Sequence, residues 1–126
     1  MFGHEEFFHA TTLSQYQQMQ SAGYIAADSY FAVREIADYY ASCIVDEGDE
    51  PVILCIPASA FDEPSMAIDR NGIDEPVTYA AFGLTEDDVH SMWGESDKTV
   101  KACVDLIGSF KCRSRIAIEF VSICLE

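Results

Sequence analysis

The segment Pro51-Val52-Ile53-Leu54-Cys55-Ile56-Pro57 constrains this chain most: an unbroken apolar run of strand length, closed at both ends by proline. Such a run reads as a β-strand covered on both faces, so the sheet it belongs to needs further layers above and below it. Neighbouring segments supply them. Residues 6–11 (Glu-Phe-Phe-His-Ala-Thr) form a short aromatic strand pattern. A helix follows, with Ser14 as N-cap and Gly23 as the residue that ends it. Tyr24-Ile25 begins an extended stretch that closes on Tyr30-Phe31, and Val33, Ile36, Ala37, Tyr40 and Ile44 then make an amphipathic helical stripe. The acidic run over 46–50 is a loop.

Beyond the proline-bounded strand, residues 58–75 are rich in turn formers around Met66-Ala67-Ile68, and Asn71-Gly72 predicts a hairpin turn. Val77–Phe82 reads as a strand ended by Gly83. Thr85 opens a helix with acids in its first turn and Val89, Met92 and Trp93 on its apolar face. A further helix is predicted over 98–110 and a last strand over 116–123. At 126 residues these elements make one domain, spanning 1–126, of α+β or mixed α/β class. An apolar content of 49% argues against disorder.

Charge narrows the function classes. The formal net charge is −15, and residues 1–97 hold two basic against nineteen acidic side chains, while 98–126 hold five against three. A field of this sign repels phosphate backbones and anionic membranes, so direct nucleic-acid and membrane partners are excluded and a basic protein partner is favoured. Five cysteines, none in a C-x-x-C pair and four among apolar neighbours, read as free buried thiols in a reduced compartment. Cysteines and the three scattered histidines do not cluster as a zinc site would, so no metal is expected. Glu5 and Glu6 stand where a basic leader would begin, and no apolar run approaches a bilayer span. The expectation is a cytoplasmic protein.

Three features can carry chemistry, and each alone has an ordinary structural explanation. His9 sits in a strand among aromatics and is followed by Thr11. Tyr30-Phe31 immediately precedes a helix that continues through Tyr39 and Tyr40. Asp74 and Glu75 lead the predicted strand over 76–82. In order, however, they resemble a known pattern: Phe8-His9-Ala10-Thr11 followed by a helix ending at Gly23; Ser29-Tyr30-Phe31-Ala32 followed by a helix containing Ala37-Asp38-Tyr39; the apolar strand 52–56; and Glu75-Pro76-Val77-Thr78-Tyr79. This succession, over residues 6–82, resembles ADP-ribosyltransferase-like domains of the His-Tyr-Glu type.

The resemblance implies a split sheet with flanking helices and NAD as the substrate. It implies that His9 hydrogen-bonds a ribose hydroxyl of NAD, that Thr11 adds a polar contact there, and that Tyr30 stacks on the nicotinamide ring. Glu75 would bind the nicotinamide-ribose 2′-hydroxyl and stabilise the cation formed as nicotinamide leaves. Arg34, in the first turn of its helix, is the expected partner of the phosphates. Glu119, expected inside the last strand beside Arg115, is a rival acid. The alternative function is a small acidic inhibitor or nucleic-acid mimic of the phage anti-defence kind, acting by binding a basic protein without catalysis. RNA phosphate removal on the same scaffold ranks last, because its substrate demands a basic patch.

Overall fold

The computed structural model describes residues 1–124. The proline-bounded run is β4 (Pro51–Pro57), paired antiparallel along its whole length with β1 (Glu6–Thr12), from Glu6↔Pro57 to Thr12↔Pro51. Between them in sequence come α1 (Leu13–Ala22), β2 (Tyr24–Ile25), β3 (Ser29–Ala32) and α2 (Arg34–Asp46). Thr12, two residues before the expected Ser14, is the cap of α1. Its hydroxyl accepts the Gln15 N–H at 3.1 Å, while the Gln15 side-chain oxygen accepts the Thr12 N–H at 3.4 Å.

The second half departs further from the expectation. After β5 (Met66–Ile68) come α3 (Arg70–Asp74), α4 (Thr78–Phe82), α5 (Glu86–Glu95) and α6 (Val100–Ile107), then β6 (Ser109–Cys112), β7 (Ile116–Ala117) and β8 (Ser122–Ile123). Asn71-Gly72 is not a hairpin turn, because Asp69 caps a helical turn there and its carboxylate takes the Gly72 N–H at 2.9 Å. Residues 78–82 are helical, not extended, with Val77 as the cap: Val77 and Ala81 pack against Ala32, Val33 and Ile36, and Gly83 ends the turn at φ 72°. The helix expected to reach Phe110 stops at Ile107. Gly108, in the left-handed region at φ 72°, turns the chain into β6, and its carbonyl takes the Val33 N–H at 2.8 Å. The expected last strand is broken by a 3-10 turn over Ile118–Phe120, which carries Glu119.

All strand pairs are antiparallel, in a six-stranded sheet of order β5-β6-β3-β1-β4-β8 and a two-stranded sheet of β2 with β7. The protein is therefore one mixed α/β domain. One face of the large sheet carries the main core, where Phe7, Phe31, Phe61 and Phe110 meet Tyr16 of α1 and Ile25 and Ile116 of the small sheet. Phe7 and Phe110 stand edge-to-face at 4.9 Å, as do Phe31 and Phe61. Such pairs add about 0.5–1.5 kcal/mol each beyond the area they bury. The other face carries α2, lying on β1 and β4. Along β4 the buried residues are Val52, Leu54 and Ile56, while Ile53 and Cys55 remain half-buried. Cover is thus complete on one face and partial on the other, because β4 lies next to the short edge strand β8.

A satellite core of Ile73, Val89, Trp93, Cys103, Leu106 and Ile107 ties α3, α5 and α6 together. Among the described residues no cysteine is in a disulfide. Of the four cysteines with apolar neighbours only Cys103 is buried, Cys43, Cys55 and Cys124 being half-buried, whereas Cys112, outside that set, is buried. Among the described residues no helix is long and apolar enough to cross a membrane.

Candidate functional site

β1 is in register with β4 over seven residues but with β3 only at Phe8↔Ala32. Beyond that pair the large sheet opens between its two central strands, and His9 spans the opening: its Nδ1 lies 2.6 Å from the Tyr30 carbonyl oxygen. A carbonyl only accepts, so Nδ1 carries the proton in that bond, and the neutral ring keeps Nε2 as an acceptor. Burial lowers the His9 pKa from its ordinary value of 6.5, outweighing the raising effect of the Tyr30 carbonyl. The imidazole is neutral at pH 7.

Two clefts share the residues of this opening. The larger, about 650 Å³, is floored by Phe8, Ala10 and Ala32 and walled by α2 on one side and α3 on the other; Tyr30, His9 and Glu75 all line it. The smaller, about 530 Å³, lies between β1, α1 and the start of β3, and shares His9, Ala10 and Tyr30 with the first. Their linings differ in charge. The larger contains Glu47, Asp69 and Glu75 and no lysine or arginine. The smaller contains no charged side chain but offers Thr11, Gln15, Gln18 and Ser29.

The expected site residues divide accordingly. His9, Tyr30 and Glu75, distant in sequence, come together in one cleft. Glu75 does so from the C-terminal cap of α3 rather than from a strand, because Asp69 bends the chain into that helix. Tyr30 is 39% exposed. Thr11 lines the smaller cleft, but its hydroxyl is already engaged with the Gln15 side-chain oxygen at 2.7 Å, so Gln15 is the outer polar group there. Arg34, expected at the phosphates, lines neither cleft: it pairs with Asp38 at 2.8 Å and lies over the Phe8 ring, 5.6 Å from its centroid. Glu119 is exposed on its 3-10 turn and lines neither cleft. Arg115, the expected partner of Glu119, instead sits over Tyr24, a wall of the smaller cleft, 4.2 Å from the ring centroid.

Comparison with known proteins adds nothing to this geometry. No protein-family model, curated protein or solved structure matches the chain.

Two cleft residues escaped the sequence reading. Asp69 is buried and accepts the Ser109 hydroxyl at 2.7 Å on one oxygen and the Gly72 N–H on the other. Ser109 is buried on β6 in register with Ala32. The pair fastens α3, and with it Glu75, to the sheet. Only a buried polar residue at the start of a strand signalled it, and that strand was itself hidden behind the helical pattern of α6. Tyr40 adds an aromatic wall; burial and the nearby Asp69 carboxylate raise its phenol above the ordinary value, so it is uncharged at pH 7.

Proposed function

We propose that the protein binds NAD across the two joined clefts and transfers its ADP-ribose to a protein target. The observation that carries this reading is the meeting of His9, Tyr30 and Glu75 in the larger cleft, at the opening of a split sheet. In this reading His9 Nε2 accepts a ribose hydroxyl, with the ring held by the bond from Nδ1 to the Tyr30 carbonyl. Tyr30 offers its ring face to the nicotinamide. The Glu75 carboxylate accepts the neighbouring ribose hydroxyl and faces the positive charge that grows on the sugar as the glycosidic bond breaks. The bonding electrons leave with the nicotinamide nitrogen, and neutral nicotinamide departs.

The charge of the two clefts orients the ligand. Carboxylates in the larger cleft suit the cationic pyridinium end and repel a diphosphate. The smaller cleft suits the diphosphate and adenosine, with Gln15, Gln18 and Ser29 as polar contacts and Arg115, over the Tyr24 ring, as a cation beside it. Arg115 thus takes the role first given to Arg34.

Calorimetric titration with NAD and a nicotinamide-release assay test the reading. The wild-type chain binds and turns over NAD. Glu75→Gln keeps binding and loses turnover by about 10²–10³, the usual effect of removing one transition-state electrostatic contact. His9→Ala weakens binding. The reading is overturned if NAD does not bind at millimolar concentration, or if Glu75→Gln turns over as fast as wild type. Capture of a basic protein without any NAD dependence would then favour the acidic inhibitor.

A further inference from the structure

The larger cleft holds three carboxylates, Glu47, Asp69 and Glu75, more negative charge than the nicotinamide end of NAD needs. Glu47 is the C-terminal cap of α2 and Glu75 the C-terminal cap of α3, so two helix ends bring both their partial negative charge and a carboxylate to one cleft. Acids at that end of a helix are unfavourable, and α2 has Asp46 beside Glu47 with no basic residue in its last turn. Neither Glu47 nor Glu75 has an ion-pair partner among the described residues. Tyr39 and Tyr40, nearly perpendicular to each other with ring centroids 5.4 Å apart, line the same cleft. A hydrogen bond with Cys43 raises the Tyr39 phenol, so both rings stay neutral and electron-rich at pH 7.

We propose that the part of the larger cleft lined by Tyr39, Tyr40 and Glu47 from α2 and by Glu75 from α3 is the acceptor subsite, and that it takes the guanidinium of an arginine side chain. A guanidinium is planar, matches a ring face, and offers N–H groups in two directions at once, as two separated carboxylates require. An ammonium is a compact, strongly hydrated charge and uses the aromatic wall less well. His9, assigned to NAD, lines the same cleft. The acceptor role rests on the NAD reading above. In the transfer step a guanidinium nitrogen bonds to the anomeric carbon as the bond from that carbon to nicotinamide breaks. The electron pair leaves with neutral nicotinamide, and the acceptor nitrogen gives its proton to a wall carboxylate and then to water.

Agmatine, a free guanidinium amine, is the probe, with cadaverine as its ammonium counterpart. Without NAD, agmatine titrated into the full chain perturbs the Tyr39 and Tyr40 ring resonances saturably, and Glu47→Gln weakens it by about tenfold, the effect of one charge-assisted contact. With NAD, mass spectrometry finds ADP-ribosyl-agmatine in at least about tenfold excess over the cadaverine product. Glu47→Gln lowers that transfer by a larger factor than it lowers NAD hydrolysis to water. Hydrolysis of NAD with no binding or modification of agmatine overturns the subsite and leaves the NAD reading intact; equal use of cadaverine overturns the guanidinium preference. If NAD is not turned over, that reading falls with the acceptor role, and agmatine binding without NAD still decides whether the wall is a guanidinium site.

Discussion

His9 shows how one residue can be fixed by the fold and used by the site. Its ring closes the gap between β1 and β3 by a 2.6 Å bond to the Tyr30 carbonyl, and burial keeps it neutral. That carries a consequence for stability. In the unfolded chain the imidazole takes up a proton near pH 6.5, whereas in the folded chain its pKa is lower. Between the two values the unfolded state binds more protons, so stability is complete above about pH 6.5 and declines as pH falls toward the folded value. His9→Gln keeps the polar bridge and removes the titration. Urea unfolding at pH 7.5 and pH 5.5 should show wild type losing more stability across the interval than His9→Gln, since the carboxylates are common to both. Equal losses would show that the ring is not held neutral. The same neutrality supplies the Nε2 acceptor, so weakening of NAD binding should follow the same acid limb.

At the scale of elements, α3 decides where Glu75 points, and Gly72 decides whether α3 can sit where it does. A Cβ at Gly72 would fall 2.6 Å from Asp69 Oδ2 and 2.8 Å from Ile107 Cδ1, inside contact distance on both sides. Gly72→Ala should therefore push α3 off the Asp69–Ser109 anchor, at a cost of about 1–3 kcal/mol in urea unfolding. It should also lower nicotinamide release more than it weakens NAD binding, because Glu75 moves while His9 does not. Unchanged stability would mean that the anchor yields freely. This helix also marks the limit of what the chain's pattern discloses. β1, α1, α2 and β4 were legible because each is long enough to show a period or an unbroken apolar run. α3 and α4 have five residues each, too few for a helical period, and Val77-Thr78-Tyr79 carries strand propensity that packing against Val33 and Ile36 overrides. β6 was hidden because α6 leads into it with a single glycine between. His9, Tyr30 and Glu75 were singled out by short local patterns, and the fold brings the three to one cleft. Asp69 with Ser109, and Arg115 over Tyr24, are pairings across the fold that spacing along the chain does not record.

For the whole molecule, the charge of −15 is a term in both stability and recognition, and salt acts on the two with opposite sign. Five described cations have close partners within the protein: Arg34 with Asp38, Lys101 with Asp105, Lys111 with Asp28 at 3.7 Å, Lys98 with the Gly94 carbonyl at 3.3 Å, and Arg115 with the Tyr24 ring. Most of the acids therefore face one another across solvent. Glu86, Asp87 and Asp88 at the start of α5 are favoured by the helix end, but Asp46 and Glu47 at the end of α2 are not. Raising sodium chloride from about 20 mM to about 0.5 M shortens the screening length from roughly 20 Å to roughly 4 Å. Self-repulsion is then removed from the compact state, and the thermal midpoint should rise. The same screening weakens attraction for a cationic acceptor, so transfer to an arginine-rich peptide should fall over the same range, through KM rather than kcat. Sodium chloride is the right salt for this, since sulfate would strengthen apolar burial as well. A midpoint that falls with salt would mean that the described ion pairs outweigh the repulsion. Transfer indifferent to salt would mean that the acidic face takes no part in holding the target.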